Sequence, residues 1–481
     1  MIGDDVFYAS AADLNRRLKA KEFSCVELTR AYCDRLEKLG PKYNALALSL
    51  RKTALSKAKD IDGEIKRERF RGGLQGVPFA VKDLLSVAKF PTTWGAKPYA
   101  TQVFDYDATV VKKLVKSGGV LIGKLAMVEL AGGGGYRYPA ASLHGPGLNP
   151  WDTGRWSGGS SSGSGSAVAA GLTGYAIGSE TNGSILTPSA FCGVTGLRPT
   201  YGLVSRYGAM ALSWTMDKLG PMCRSAEDCG LVLNAIAGGD DQDPGSAGKS
   251  FYYTPQYMRP AKEIRIGYAP SDFAGAPEGA VRSAFQAAFQ VFQGMGFAPF
   301  KEVALPEEYP YGAVGSTIVN SEAGSIFEEL IASGKVDELA DQRQAQGLKA
   351  GLEIPAKDYL KAMRIRGLIQ QAFREMFANV DILLAPARNN VAPVVTEPLD
   401  RMRAAAAGTA GPGRPAGLGA LTTAGNLAGL PALCLPCGFA DGLPLAVQLV
   451  GRPFSENLLL KVGVDFQART DFHKRRPPVV G

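Results

Sequence analysis

The chain has 481 residues, 46% of them hydrophobic and 20% charged, with 59 glycines, a globular composition that excludes disordered and collagen-like classes. Its net charge of +8 comes from Lys and Arg scattered among Asp and Glu, with no basic stripe interleaved with aromatics, so no nucleic-acid partner is expected. Two histidines, His144 and His473, leave little for a His-rich metal site, and no apolar run approaches the roughly 20 residues of a membrane span.

In chain order, the first 70 residues read as helical. Ser24 and Glu27 have capping-box spacing, and Leu28, Ala31, Tyr32, Leu36 and Leu39 recur on one helical face before Gly40-Pro41 ends it. A second helix is predicted from Thr53 to Lys66. Val77 to Val81 is a short apolar run of the buried-strand type, with Lys82-Asp83 at its end. Val110 to Val115 reads as helix and Val120 to Gly123 as strand, an alternation that implies an α/β layer structure. A long Gly/Ser-rich region from Gly132 to Gly202 contains a predicted strand, Thr173 to Ile177, and Asp240 to Lys249 is a polar connector. Ile264 to Gly267 opens a strand-helix unit, residues 275 to 380 are mainly helical, and Ile382 to Pro386 is a strand. Residues 403 to 419 are low-complexity Ala/Gly/Pro, expected as a loop or surface excursion, and Leu433 to Gly438 and Leu445 to Val450 close the fold as strands.

Seven cysteines at irregular spacing do not make a disulfide scaffold. Cys434 and Cys437 form a C-x-x-C pair without a second pair or a redox context, and are expected to be buried structural thiols. The acidic start, Met1 to Asp5, lacks the apolar segment of a signal peptide, and a cytoplasmic protein is expected.

The chemistry concentrates in three places. Ser157-Gly158-Gly159-Ser160-Ser161-Ser162-Gly163 could be a linker, but it runs straight into an Ala/Val helix and a strand, which favours a structured loop. Gly178-Ser179-Glu180-Thr181-Asn182-Gly183-Ser184 turns through Asn-Gly and presents one serine, on a turn whose successive amides could hold an anion. A serine needs a base, and with histidine scarce a buried lysine is the natural substitute. Lys82 stands at a buried strand's end, although an isolated lysine is more often a solvated charge. To serve as a base near pH 7 it must titrate about 3 units below its ordinary value.

Gly76-Val77-Pro78-Phe79-Ala80-Val81-Lys82-Asp83, Gly158-Gly159-Ser160-Ser161, the Gly178 to Ser184 turn, Phe191 to Thr200, Asn426 to Pro431 and Leu445 to Gly451 together resemble the amidase signature family, in order and over nearly the whole chain. The resemblance implies Ser184 as nucleophile, Ser160 as relay and Lys82 as base, with a cis peptide between Gly159 and Ser160. It implies an oxyanion hole formed by the backbone amides of Thr181, Asn182, Gly183 and Ser184. The implied fold is one large α/β domain over residues 1–481, a mixed central β-sheet covered by helices on both faces. Within it, 1–70 supplies N-terminal helices, 71–240 the core with the motifs, 260–400 a helical region shaping the substrate pocket, and 420–470 the closing strands.

The expected function is that of a stand-alone amidase cleaving a carboxamide C–N bond through a Ser184 acyl-enzyme. The substrate would be a small-molecule amide, with no metal or organic cofactor, no nucleic acid and no membrane. Dimers are common in the family, so a homodimer is a possible state. One alternative is the glutamine-hydrolysing subunit of a tRNA-dependent amidotransferase, and another is a carbamate or ester hydrolase of the same family. The amidotransferase reading is placed second because such subunits carry an acid shortly before the Asn426 to Pro431 block, where this chain has Gly417-Leu418-Gly419-Ala420-Leu421.

Three positions depart from the family pattern: Asn182 and Ser162 stand where glycine is common, and Leu186 stands where an arginine often follows the nucleophile. Asn182 and Leu186 bear on substrate choice more than on catalysis. A rival from another fold takes Gly159-Ser160-Ser161-Ser162-Gly163 as a G-x-S-x-G elbow, with Ser161 as nucleophile and His473 as base. That elbow needs a preceding strand, and Asn149 to Arg155 does not read as one. Asp217 is a candidate supporting residue, Trp214, Tyr136 and Tyr138 are candidates to line the acyl pocket, and His144 is expected to be structural.

Overall fold

Strands that are apolar along their whole length, rather than at every second residue, call for a sheet covered on both faces. The computed structural model, which describes residues 2–399 and 417–478, contains that sheet. In chain order its strands, with those of a separate hairpin, are β1 (Leu46–Ser49), β2 (Pro78–Lys82), β3 (Val120–Leu125), β4 (Leu148–Asn149), β5 (Asp152–Trp156), β6 (Tyr175–Glu180), β7 (Thr195–Arg198), β8 (Lys218–Cys223), β9 (Ile266–Tyr268), β10 (Lys301–Glu302), β11 (Ile382–Pro386), β12 (Ala432–Ala440) and β13 (Leu443–Gly451). Eleven of them form one mixed sheet in the order β1-β3-β2-β6-β8-β7-β12-β13-β11-β9-β10, and β4 with β5 makes the hairpin. β2 lies parallel to β3 and β6, and β9 parallel to β10 and β11; the other pairs are antiparallel.

The two-residue alternation of a strand shows in how β11, β12 and β13 divide their side chains. Ile382, Leu384, Leu433, Leu435, Val447 and Leu449 join one apolar cluster, while Leu383, Ala385, Ala432, Cys434, Ala446 and Val450 join a second. The second cluster packs under the helices Tyr311–Ile326 and Ala356–Asn379, within the stretch expected to be mainly helical. The first takes in the N-terminal helices, whose capping box at Ser24 and Glu27 forms as the spacing predicts. Cys434 and Cys437 are free and buried, and burial pushes both thiols up, away from the reactive range.

Two expectations need correction or limits. Asp152 to Trp156 is a strand, although Asn149 to Arg155 does not read as one. It pairs with Leu148–Asn149 through backbone bonds and leaves Asp152, Thr153 and Gly154 exposed, so no apolar signal marks it in the sequence. The low-complexity segment lies outside the described residues from 403 to 416.

Asp83 fixes the end of β2. Its Oδ1 lies 2.7 Å from Lys124 Nζ, both side chains being fully buried, and its Oδ2 accepts from the Thr93 amide at 3.0 Å and from the Thr93 hydroxyl. Lys124 also donates to the Pro91 carbonyl at 2.8 Å. Replacing Lys124 by Met would strand the Asp83 carboxylate in the interior, a change that costs about 3–5 kcal/mol for a broken buried pair. Urea unfolding is expected to show a free energy of unfolding lowered by that amount, read as a lower midpoint with the slope unchanged.

Candidate active site

β2 delivers Lys82 into the interior with no exposed surface. Its Nζ lies 2.7 Å from Ser160 Oγ and 2.9 Å from Ser179 Oγ, two neutral partners. Burial drives the amine down to about 7, against the opposing pull of Asp217 and Glu180. Those acids are held by other groups. Asp217 accepts from Thr181 Oγ1 at 2.6 Å and from the amides of Leu212 and Ser213 at 2.7 and 2.9 Å.

Ser160 follows a cis Gly159–Ser160 peptide, as the resemblance implies. Gly159 admits no side chain, because a Cβ there would come within 2.8 Å of the Trp156 ring and of Val128. The adjacent Ser161 ties this loop to β6, donating to the Ser179 carbonyl at 3.1 Å and accepting from the Ser179 amide at 3.2 Å. The helix Ser162–Ala169 then carries the chain away.

β6 ends at Glu180, whose carboxylate is fully buried and organises the turn that follows. It accepts from the amides of Ile185 and Leu186 at 2.8 and 2.9 Å, from Arg198 Nη1 at 2.9 Å and from Asn426 Nδ2 at 2.9 Å. Burial alone would raise this acid, but Arg198, the Leu186 amide and Asn426 overcome it and hold it near 2. Gly183 takes φ +94°, a conformation open to glycine, and turns the backbone so that Ser184 faces a cavity. Among the described residues, none of the amides of Thr181, Asn182, Gly183 and Ser184 donates a hydrogen bond. Four unspent N–H groups in succession on one turn can hold a developing anion.

The cavity, of about 310 Å³, is lined by Ser184, Thr181, Asn182 and Gly159 on one side. Tyr136, Trp156, Val319, Asn320, Arg388 and Thr422 line it elsewhere. The structure thus brings Lys82 and Ser160 together and sets Ser184 in the cavity wall, where the Ser161 amide reaches the Ser184 carbonyl at 3.4 Å. No hydrogen bond joins the Ser160 and Ser184 hydroxyls. Of the candidate lining residues, Tyr136 borders this cavity, Trp214 borders a neighbouring one with Asp217 and Ser179, and Tyr138 is exposed and borders neither.

The elbow alternative does not assemble. Ser161 is buried with its hydroxyl spent on Ser179, and His473 lies beside Arg224 outside the cavity lining, pushed down to about 4 by burial. Three residues of the site are assigned no role by the sequence reading: Ser179 beside Lys82 and Glu180 under the turn, both within the Gly178 to Ser184 motif, and Arg388 in the cavity wall, outside every motif. A charged residue inside an otherwise apolar strand-turn frame is the cue that points to Glu180 and Arg388.

The family model for amidases matches residues 27–460. The chain belongs to the amidase signature family. It is 37% identical to a glutamyl-tRNA(Gln) amidotransferase subunit from Carboxydothermus hydrogenoformans, across 98% of this chain and 99% of that one. It is 36% identical to the protein of the same name from Dechloromonas aromatica, with the same coverage. Among solved structures it resembles native peptide amidase from Stenotrophomonas maltophilia, with a TM-score of 0.81 at 30% identity over 98% of each chain. It also resembles a protein of a vestigial complex linked to the origins of an s-triazine catabolic enzyme, with a TM-score of 0.84 at 30% identity over 96% and 98% of the two chains. No helix among the described residues is long and apolar enough to cross a membrane.

Because Lys82 titrates near 7 when folded and near 10.5 when unfolded, its burial penalises the folded state fully below pH 7, and the penalty fades as pH rises toward 10.5. Lys82→Met, which carries no charge, is therefore expected to be more stable than the parent at pH 6. That advantage should shrink by about 2–3 kcal/mol by pH 9, as read from urea unfolding at the two pH values.

Proposed function

We propose that this chain hydrolyses a carboxamide C–N bond through an acyl-enzyme on Ser184. The observation that carries the reading is a lysine without surface, depressed to about 7, held 2.7 Å from Ser160 and beside a turn with four unspent amides. Near pH 7 about half of Lys82 is neutral and able to take a proton. Ser160 passes its proton to Lys82 as it takes one from Ser184, whose oxygen forms a bond to the substrate carbonyl carbon. In this step the hydroxyls of Ser160 and Ser184 come into hydrogen-bond contact. The amides of Thr181, Asn182, Gly183 and Ser184 receive the oxyanion. As the C–N bond breaks, Ser160 gives its proton to the leaving nitrogen and is reprotonated by Lys82, and water then attacks the acyl-Ser184 ester by the reverse relay. This chemistry uses side chains and backbone amides alone.

Two readings of the physiological context divide the support. Relatives named as amidotransferase subunits favour a chain that works with partner subunits on glutamine over one that works alone. The cavity lining supports an amide other than glutamine, because no carboxylate among the described lining residues could receive an α-ammonium group. Both readings share the acyl-enzyme step.

Purified chain assayed for ammonia or amine release against glutamine, primary amides, anilides, carbamates and esters is expected to turn over at least one amide. Ser184→Ala and Lys82→Ala should each lose at least about 10³-fold in kcat. Activity that survives Ser184→Ala would overturn the nucleophile, and glutamine as the best substrate would decide for the amidotransferase reading. In the parent enzyme kcat/KM is expected to rise with pH through an apparent pKa near 7, as Lys82 loses its proton. A flat profile from pH 6 to 8.5 would remove Lys82 as the base.

A further inference from the structure

The cavity around Ser184 holds one charged side chain, Arg388, among the described residues. It follows β11, and its guanidinium presses against the turn that carries the nucleophile: a Cβ placed on Gly183 would lie 2.7 Å from Arg388 Nη2. Among the described residues its hydrogen bonds go to a single acceptor, the Thr187 hydroxyl, from Nε at 3.1 Å and from Nη2. A guanidinium has five N–H donors in a planar fork, so most of its capacity is unspent here. No carboxylate among the described residues lies within ion-pair distance.

The acids facing Arg388 are committed elsewhere. Glu180 gives both oxygens to Arg198, Asn426 and two amides. Asp272, which borders a small adjoining cleft with Arg388, accepts from the Leu418 amide at 2.7 Å. Arg198, which is fully buried, receives a direct carboxylate partner at 2.9 Å, whereas the half-buried Arg388 has none among the described residues. A half-buried guanidinium remains cationic, and in a cavity wall without a carboxylate partner it leaves an attractive position for an incoming anion.

We propose that Arg388 anchors a carboxylate of the substrate, so that this site acts on monoamides of short dicarboxylic acids lacking an α-ammonium group. The inference rests on the acyl-enzyme reading of Ser184. Its length limit follows from the contact of the guanidinium with Gly183, one residue from the nucleophile, in a cavity of about 310 Å³. Its ammonium-free character follows from the lack of any acid in the described lining. A fork-shaped donor beside the scissile position pairs with a carboxylate through two parallel hydrogen bonds and fixes the direction of the amide.

The test compares malonamate, succinamate and glutaramate with length-matched propionamide, butyramide and valeramide, following ammonia release. At least one carboxylated member should exceed its neutral partner by about 100-fold or more in kcat/KM, mostly through KM. In Arg388→Gln that ratio should fall at least about tenfold, and Arg388→Lys should restore part of it. Calorimetric binding of the same monoamides to Ser184→Ala gives a readout that does not depend on turnover. Equal use of neutral and carboxylated amides would overturn the anchor while leaving the hydrolase standing. Carboxylate-dependent binding to Ser184→Ala with no turnover of any amide by the parent would keep the anchor and sink the hydrolase. The absence of both turnover and binding would overturn the anchor, and glutamine used as well as glutaramate would overturn the exclusion of an ammonium group.

Discussion

The site depends on keeping an amine uncharged inside a folded protein. An ordinary lysine titrates near 10.5 and Lys82 near 7, a difference that corresponds to about 5 kcal/mol at 1.36 kcal/mol per unit. Depth alone does not secure this, since Asp217 and Glu180 are near enough to pull the amine back toward its charged form. Each acid is held away from the amine by its other partners. Asp217 is spent on a hydroxyl and two amides, and Glu180 on Arg198, Asn426 and two amides. Lys82 is left with two serine hydroxyls, the partners a neutral amine can both donate to and accept from.

The same commitment of Glu180 shapes the turn proposed to hold the oxyanion. By holding the amides of Ile185 and Leu186 it starts the helix Leu186–Cys192 and pins the backbone just past Ser184, while the four amides before them stay unspent. Arg198 and Lys218 lie buried around this point and Arg388 half-buried, against the carboxylates of Glu180 and Asp217. The guanidiniums and carboxylates balance, so the positive character offered at the turn comes from its oriented amides. A field of that sign favours a transition state in which negative charge grows on the carbonyl oxygen.

The strands and the serine loop were legible because burial on both faces writes a continuous apolar run, and because glycines crowd where backbone must pass close to other atoms. Ile382 to Pro386 reads as a strand with the same bounds it has in the structure, and Val77 to Val81 is displaced from Pro78–Lys82 by one residue. The hairpin at Asp152 escaped because its residues are polar and its pairing is carried by backbone groups. Ser179 escaped for a related reason: a serine in a buried strand is common, and only the approach of β2 to β6 reveals that it faces Lys82. Arg388 is separated from Ser184 by about two hundred residues of sequence, and no local pattern signals that a guanidinium will meet Gly183.

Kinship and substrate need not travel together in such an architecture. Lys82, Ser160 and the turn come from adjoining parallel strands β2 and β6 and the loop between them, a unit whose geometry is internally determined. The cavity wall comes from segments far along the chain, at Gly312 to Asn320, Arg388 and Thr422–Thr423. Exchanging a side chain in that wall alters what is bound without disturbing the relay or the amides. A chain can therefore share more than a third of its residues with amidotransferase subunits and still differ from them in what it binds. The proposed carboxylate anchor, Arg388, lies in this exchangeable wall, beside Ser184.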